Sequence, residues 1–524
     1  MKLFTEEDLI AAGYEPGPKI PMLLAKAAEY EERGISDRKY ALKLLKRDVG
    51  PPPVKAVMRE KPAPMAEAIV AHTKDEKESL KLTRKSMQEL LCVPVIERGV
   101  LMPDACPSVK GQAVIPVGGA IAVDRAIIPA AHSADICCSM FATFYEERSS
   151  VAKELDALVL ATRFGPEHRH LDDIVEDPVV NENVWLNRFL TGLRDRARVY
   201  MADQGDGNHF AYIGEVTVTS EMVAMLRLAG HTELAGQLEG NRDEAGEATP
   251  RILRVLVTHH GSRGLGAHVY KRGQIAAEKH VRRVADRIPE AGAWLDAETD
   301  TGRDYWHALQ YVSRWTEANH RSIHRRFLER IAATSVAEVK NEHNFVWQRG
   351  DTFYHGKGAT PAWRDEQGRP QLGLIPLNMA EPILLVLGAD QEQFLSFAPH
   401  GAGRNLSRTA MRRLYPDEIS RRHLIEKTTR DIDVRWFCGK PDLSETPAAY
   451  KDAATVRAQI REFGLAEIVA EIRPLGCIMA GDSGRSWRNR EEDLTPKQKR
   501  QIEHRAERRN VRQHLRDGSD DGED

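Results

Sequence analysis

Apolar positions in the first fifty residues recur every third or fourth place. In PMLLAKAAEYEERG and RKYALKLLKRD that spacing puts leucine, alanine and tyrosine on one helical face, and it predicts helices within residues 5–47. The run Gly50-Pro51-Pro52-Pro53 then breaks the pattern. Residues 1–50 read as a small helical appendage, 51–64 as a proline-rich linker, and 65–92 as a further charged amphipathic helix. From about residue 93 the texture changes. VPVIERGVLMP, QAVIPVGGAIAVD and RAIIP are short β-rich runs bounded by glycine and proline. RILRVLVTHHGSRGLG reads as a strand running into a glycine-rich turn. SEMVAMLRLAGHTELAGQL and YWHALQYVSRWTEANHRSIHRRFLERI have helical spacing. A second strand-rich part runs from NFVWQRGDTFYHGKGATPAW through GLIPLNMAEPILLVLG. Strands and helices without strict alternation predict an α+β core over 65–484. Residues 485–524 are almost all charged and read as a helical to disordered tail with an acidic tip.

Charge narrows the function classes. Lys+Arg is 75 and Asp+Glu is 78 among 524 residues, a net charge of −3. That excludes a polycation coating nucleic acid, so a nucleic-acid role needs a local basic groove. Hydrophobic residues at 41% and charged residues at 29% suit a globular protein with a core. No apolar run approaches the roughly 20 residues that span a bilayer, and the N-terminus lacks an apolar signal core. The expected setting is cytoplasmic, with no membrane partner. Six cysteines do not make a disulfide framework in so long a chain. The adjacent pair Cys137 and Cys138 points to thiolate metal ligation instead.

Five segments set metal-binding side chains in turn-like contexts. They are SADICCSM (Asp135, Cys138), QGDGNHF (Asn208, His209), VTHHGSRGLG (His259, His260, Arg263), NEHNFVW (His343, Asn344) and PHGAGRNLSR (His400, Arg404, Arg408). Histidine, cysteine and aspartate hold divalent transition metals. Glycine lets backbone approach a ligand, and successive N–H groups cradle phosphate. A lone histidine is most often an ordinary core or surface residue; five such segments together predict one or two metals beside phosphate-binding loops. Arginine suits phosphate because its guanidinium binds two oxygens at once, and Lys357 in KGAT adds a point charge. Spacing alone does not separate a hydrolase from a ligase.

In sequence order MPDAC, PVGG, DICC, GDGNHF, HHGSRGLG, EHN, KGATPA, HGAGR and SR, the stretch from Met102 to Gly481 resembles the RtcB family of RNA ligases. The resemblance implies a mixed-sheet core with a deep metal-containing cleft. It implies joining of RNA 3′-phosphate or 2′,3′-cyclic phosphate ends to 5′-hydroxyl ends, in RNA repair or tRNA splicing. The cofactors it implies are GTP and one or two manganese ions. A histidine, here His400, takes up the nucleotide, and Asn208 and Asp104 join it as catalytic residues. Cys138 falls on the bridging metal ligand, and Asp135, His209, His259 and His343 on the others. Asn208, Tyr212, Asn344, Lys357, Asn378, Gly401, Ala402, Gly403, Arg404 and Met479 fall at nucleotide or phosphate contacts. Arg263 and Arg408 fall at the RNA-end phosphate. RNA with the matching ends is the implied partner, with an archease-like activator.

The chain departs from that pattern around the nucleotide base. A family glutamate is Tyr212, the PGSMG loop is Pro376-Leu377-Asn378-Met379-Ala380, and a C-terminal lysine is Met479. A missing carboxylate removes an acceptor for guanine N–H groups, which leaves ATP use open. Cys106 replaces the histidine of MPDxH. Cys137 and Ser139 replace glycines beside Cys138, and Cys137 reads as a packed, inert thiol. A metal-dependent phosphohydrolase or nucleotidyltransferase, and an RNA-end-binding protein lacking nucleotide activation, are the competing readings. Arg321, Arg325 and Arg326, or the tail, are expected to line a basic groove into the site.

Overall fold

A computed structural model describes residues 3–482, apart from 15–16, 18, 53–54, 109–111, 166–168, 170, 241–249 and 407. The tail read over 485–524 and the side chain of Arg408 lie outside the described residues.

Helical periodicity at the N-terminus gives three helices, α1 (Glu6–Ala11), α2 (Lys19–Glu32) and α3 (Arg38–Asp48). Thr5 and Asp37 accept backbone N–H groups at the starts of α1 and α3, satisfying donors the helix leaves open. Leu9, Leu23, Tyr30, Ala41 and Leu45 bury their apolar faces in one cluster, to which no described residue beyond Val49 contributes. The Tyr14 and Tyr30 hydroxyls close the bundle on the Gly50 carbonyl and the Asp48 carboxylate.

The linker read over 51–64 is stitched to the core from residue 55 onward. Ala56–Val57 pairs in parallel with Ala285–Asp286. The Arg59 guanidinium donates to the Val93, Pro94 and Ile96 carbonyls. The helix read over 65–92 also starts later. Met65–Glu67 is a short strand, and helix α4 spans Lys74–Leu90. Thr73 and Glu76 form a reciprocal cap that fixes where α4 begins.

An eight-stranded sheet forms the centre. Its order is Ala337–Glu342, Ser139–Tyr145, Arg251–His260, Phe210–Val218, Ala466–Met479, Ile383–Gly388 and Leu372–Ile375, all antiparallel neighbours. Asp433–Trp436 adds in parallel to the end of Ala466–Met479. A five-stranded sheet lies beside it, built on Ile96–Cys106, Val117–Asp124 and Thr352–Lys357. The long helix Asp300–Arg330 covers one face of the larger sheet through Trp315, Ile323 and Phe327. The opposite face buries Met140, Phe144, Val216, Val255 and Leu385. Mixed helices and sheets of this kind match the α+β expectation. The glycine-rich stretch after His260 is a helix rather than a turn. Ser262 anchors its start by donating to the Ile136 carbonyl, and Arg263–Val284 continues it. No described helix is long and apolar enough to cross a membrane.

Burial makes the fold acid-sensitive. Desolvation lowers His132 to about 4, and His324 and His355 to about 3. All three stay neutral in the folded chain while their unfolded counterparts protonate near pH 6.5. The unfolded state therefore binds more protons as pH falls, and stability present above pH 6.5 is lost below it. These three histidines alone contribute about 4 kcal/mol to the difference expected between urea denaturation at pH 7.5 and 5.5, at about 1.4 kcal/mol each, and the equally buried His259, His260, His320 and His343 add to it in the same direction. Burial raises the carboxyls of Glu154, Asp203 and Glu342, which offsets part of this loss towards pH 5. Equal midpoints at the two pH values would contradict the assignment.

Candidate metal centre and nucleotide site

Four neighbouring strands bring their ends together at one place. Cys138 immediately precedes Ser139–Tyr145, His209 precedes Phe210–Val218, His259 closes Arg251–His260, and His343 follows Ala337–Glu342. Register keeps them level, because His259 lies opposite Met140 on one side and Phe210 on the other. The Cys138 Sγ lies 3.2 Å from His259 Nε2 and 3.6 Å from His209 Nε2. His259 Nε2 is 3.1 Å from His343 Nε2, and His209 Nε2 is 2.8 Å from Asp135 Oδ2. Two groups of donor atoms result, Cys138–His259–His343 and Asp135–Cys138–His209, and Cys138 is common to both. A Cβ on Gly261 would stand 2.0 Å from Asp135 Oδ1, so only glycine lets the carboxylate reach the cluster.

These donors fit a divalent cation. His259 Nδ1 donates to the Asn208 carbonyl at 3.2 Å, which turns the Nε2 lone pair toward the cluster. Burial holds His259 down at about 3 and His343 well below its ordinary value, so both rings are neutral and could serve as ligands. Burial alone would raise Asp135, but the neighbouring His209 ring keeps it ionised, at about 2. Burial and Asp135 push the Cys138 thiol well above its ordinary range. A cation is what converts such a thiol to a ligating thiolate.

His400 stands beside this cluster, with its ring centroid 4.8 Å from that of His343. Its Nδ1 donates to Asp104 Oδ2 at 2.6 Å. Asp104 is fully buried, and its Oδ1 has no hydrogen-bond partner. The backbone around it is clamped. Lys451 Nζ donates to the Pro103 and Ala105 carbonyls, and Gly403, at φ +74°, abuts the Asp104 carbonyl so closely that a Cβ would stand 2.0 Å away. The proton on Nδ1 leaves His400 Nε2 with a free lone pair.

The family model for the tRNA-splicing ligase RtcB matches residues 186–480, more than half of the chain. The chain belongs to the RtcB family. A tRNA-splicing ligase RtcB from Thermococcus kodakarensis is 25% identical over 450 residues, covering 73% of this chain and 87% of that protein. One from Nanoarchaeum equitans is 27% identical over 344 residues, covering 59% and 64%. One from Pyrococcus abyssi is 29% identical over 259 residues, covering 42% of this chain and only 27% of that protein.

Several residues expected at the nucleotide are engaged elsewhere in this RtcB-family chain. Tyr212 is fully buried, and its hydroxyl donates to the Ile472 carbonyl at 2.8 Å, so it is spent in the core. The Arg404 guanidinium pairs with Glu445, donates to the Ser444 carbonyl and stacks on Tyr450. That ion pair ties the loop after His400 to the segment Ser444–Tyr450. Lys357 Nζ donates to Ser108 and to the Ile115 carbonyl. Asn344 Oδ1 accepts from Gly358 N–H and Asn378 Oδ1 from Ala380 N–H, so both carboxamides brace loops. Ala402 packs in a core cluster, while Gly401 approaches the Pro376 carbonyl. Asn208 is exposed next to the cluster. Arg263 donates to the Gly165 carbonyl and faces Asp203 at 3.6 Å, and its Nε is buried without a partner. Cys137 is fully buried in the main core.

Of the arginines expected to line a basic groove, Arg325 is exposed, whereas Arg321 and Arg326 are engaged within the fold. Arg321 pairs with Glu317 and Glu338, and Arg326 donates to the Ala161 carbonyl at the end of the helix Val151–Ala161. Carboxylates from the neighbouring strand and a helix end take up these cations. Sequence reasoning missed Lys451 and also Gln204, which is fully buried and bridges the Phe210 and His259 carbonyls. Neither carries a local signal, since Lys451 meets its partner carbonyls 346 and 348 positions away.

Met479 sits in an apolar group with Phe210, Met379, Val434, Trp436 and Cys477. Trp436, Met479 and Phe210 are register neighbours across three strands, and the Phe210 ring lies 5.2 Å from that of His259.

Proposed function

We propose that this chain joins RNA 3′-phosphate or 2′,3′-cyclic phosphate ends to 5′-hydroxyl ends through a nucleotide carried on His400. The Asp104–His400 pair beside the Asp135, Cys138, His209, His259 and His343 cluster carries the reading. His400 Nε2 attacks the α-phosphorus of the nucleotide, a P–N bond forms, and pyrophosphate leaves. Asp104 holds the ring in the reactive tautomer and stabilises the cationic imidazole that results. Water first opens a 2′,3′-cyclic end to a 3′-phosphate and a free 2′-hydroxyl; an oxygen of the RNA 3′-phosphate then displaces Nε2 and restores the neutral ring. The 5′-hydroxyl attacks the activated 3′-phosphorus, loses its proton and expels the nucleoside monophosphate. Manganese at the cluster would neutralise phosphate charge and hold the reacting groups in line. Arg263, tied to the Gly165 carbonyl and facing Asp203 where its helix starts, adds positive charge near the RNA-end phosphate.

The base is read by packing. Phe210, Met379, Trp436 and Met479 form an apolar platform beside His259. Every base has a π-face, so stacking tolerates all of them, whereas hydrogen-bond readout rejects the wrong base by 10⁴ or more. GTP and ATP are therefore expected to label the protein with efficiencies within about 100-fold of each other. A preference of 10⁴ or more would place guanine readout elsewhere.

The test is joining itself. Manganese-loaded protein, a nucleotide, and two RNA strands bearing a 3′-phosphate and a 5′-hydroxyl should give one longer strand. Strands with a 3′-hydroxyl should give none. Loss of the terminal phosphate without joining would favour a phosphohydrolase, and binding without either reaction an end-binding protein.

A further inference from the structure

Helix α3 of the N-terminal bundle concentrates cations on one side. Its eleven residues hold Arg38, Lys39, Lys43, Lys46 and Arg47 against Asp48 alone. At 100° per residue, Lys39, Lys43 and Lys46 fall within roughly 60° of arc and about 10 Å of axis. All three are exposed, as is Tyr40 beside them. Arg38 and Arg47 are paired with Asp8 and Asp48, but none of the three lysines has an ion-pair partner among the described residues.

We propose that the Lys39–Lys43–Lys46 face of α3 binds the RNA phosphodiester backbone away from the reacting ends. The proposal rests on the RNA reading above. Charge complementarity selects a polyanion, and the helix itself argues against a membrane. Surface-bound amphipathic helices insert an apolar face into lipid, but the apolar face of α3, Ala41 and Leu45, is fully buried inside the bundle. Lysine supplies point charges without base readout, so binding is independent of sequence. Tyr40 offers a ring on which an unpaired base can stack. The bundle is held close to the catalytic part, because Ala56 is already paired with Ala285 only eight residues after Asp48. Eight residues of extended chain span at most about 28 Å. Ala285 ends the helix Arg263–Val284, whose 22 residues run about 33 Å from beside His260, so an RNA of tRNA length whose end lies at His400 can extend to α3.

The experiment compares the full-length protein with a variant combining Lys39→Glu, Lys43→Glu and Lys46→Glu, and a second combining the same positions changed to Gln. Binding of a tRNA-length RNA is followed by fluorescence anisotropy across a salt series. Three lost phosphate contacts should reduce the slope of log K against log salt by about 2 and weaken binding roughly 10- to 100-fold near physiological salt. Both variants should show this. Nucleotide labelling of His400 and joining of short oligonucleotides should not change, and the far-ultraviolet circular dichroism should match. An unchanged slope in both variants overturns the proposal while leaving the ligase reading intact. Parent protein that binds RNA but never joins it sinks the ligase reading alone, provided the slope still falls in the variants. Lysine-dependent binding to phosphatidylserine vesicles, with RNA affinity unaffected, would assign the face to lipid and overturn it too.

Discussion

Replacing Cys138 by alanine is expected to abolish stable divalent-cation binding and to lower nucleotide labelling by about 10³-fold or more. Cys138 is the donor common to both groups, so its loss strips one ligand from each at once. Removing His343 or Asp135 would weaken only one group. The loss of several kcal/mol of charge stabilisation at the reacting phosphate corresponds to that factor, at about 1.4 kcal/mol per decade. The effect on the fold should be small by comparison, because the substitution deletes a single buried sulfur and costs about 1 kcal/mol. Metal content after dialysis, measured beside urea denaturation, separates the two. A Cys138→Ala protein that keeps its manganese and its labelling would remove the cluster from the mechanism.

Asp104→Asn is expected to cost roughly 10²- to 10⁴-fold in labelling while leaving metal content unchanged. Asp104 touches His400, not the metal donors, through a 2.6 Å bond to Nδ1. Asparagine is isosteric, but its carboxamide can turn a donor toward Nδ1. That would place the ring proton on Nε2, the atom that must attack. Lys451 and Gly403 hold the backbone on either side, so the side chain has little freedom to escape. Metal content that fell together with labelling would mean Asp104 supports the cluster and not the nucleophile.

The sequence made the site legible where chemistry is local. Cys138, His209, His259 and His343 are unusual residue types at strand ends, and the structure gathers them with Asp135 into two donor groups that share Cys138. The helices of the first fifty residues were legible because their apolar period closes into one cluster. What escaped depended on partners far away along the chain. Arg404 in HGAGR meets Glu445 and Tyr450, partners that lie too far along the chain for the motif to show. Tyr212 stands two residues beyond Phe210, yet the strand sends its side chain into the core. Met65–Glu67 is too short for a period to show, and the charged spacing of α4 masks it. The glycines after His260 suggested a turn, but the anchor from Ser262 to Ile136 starts a helix there.

The central claim is that His400 carries the nucleotide. Manganese-loaded protein incubated with α-labelled GTP or ATP should acquire an acid-labile covalent label that depends on His400. The same label should be absent from His400→Ala protein with equal metal content. A label that survives His400→Ala, or none on the parent protein with either nucleotide, would contradict the account.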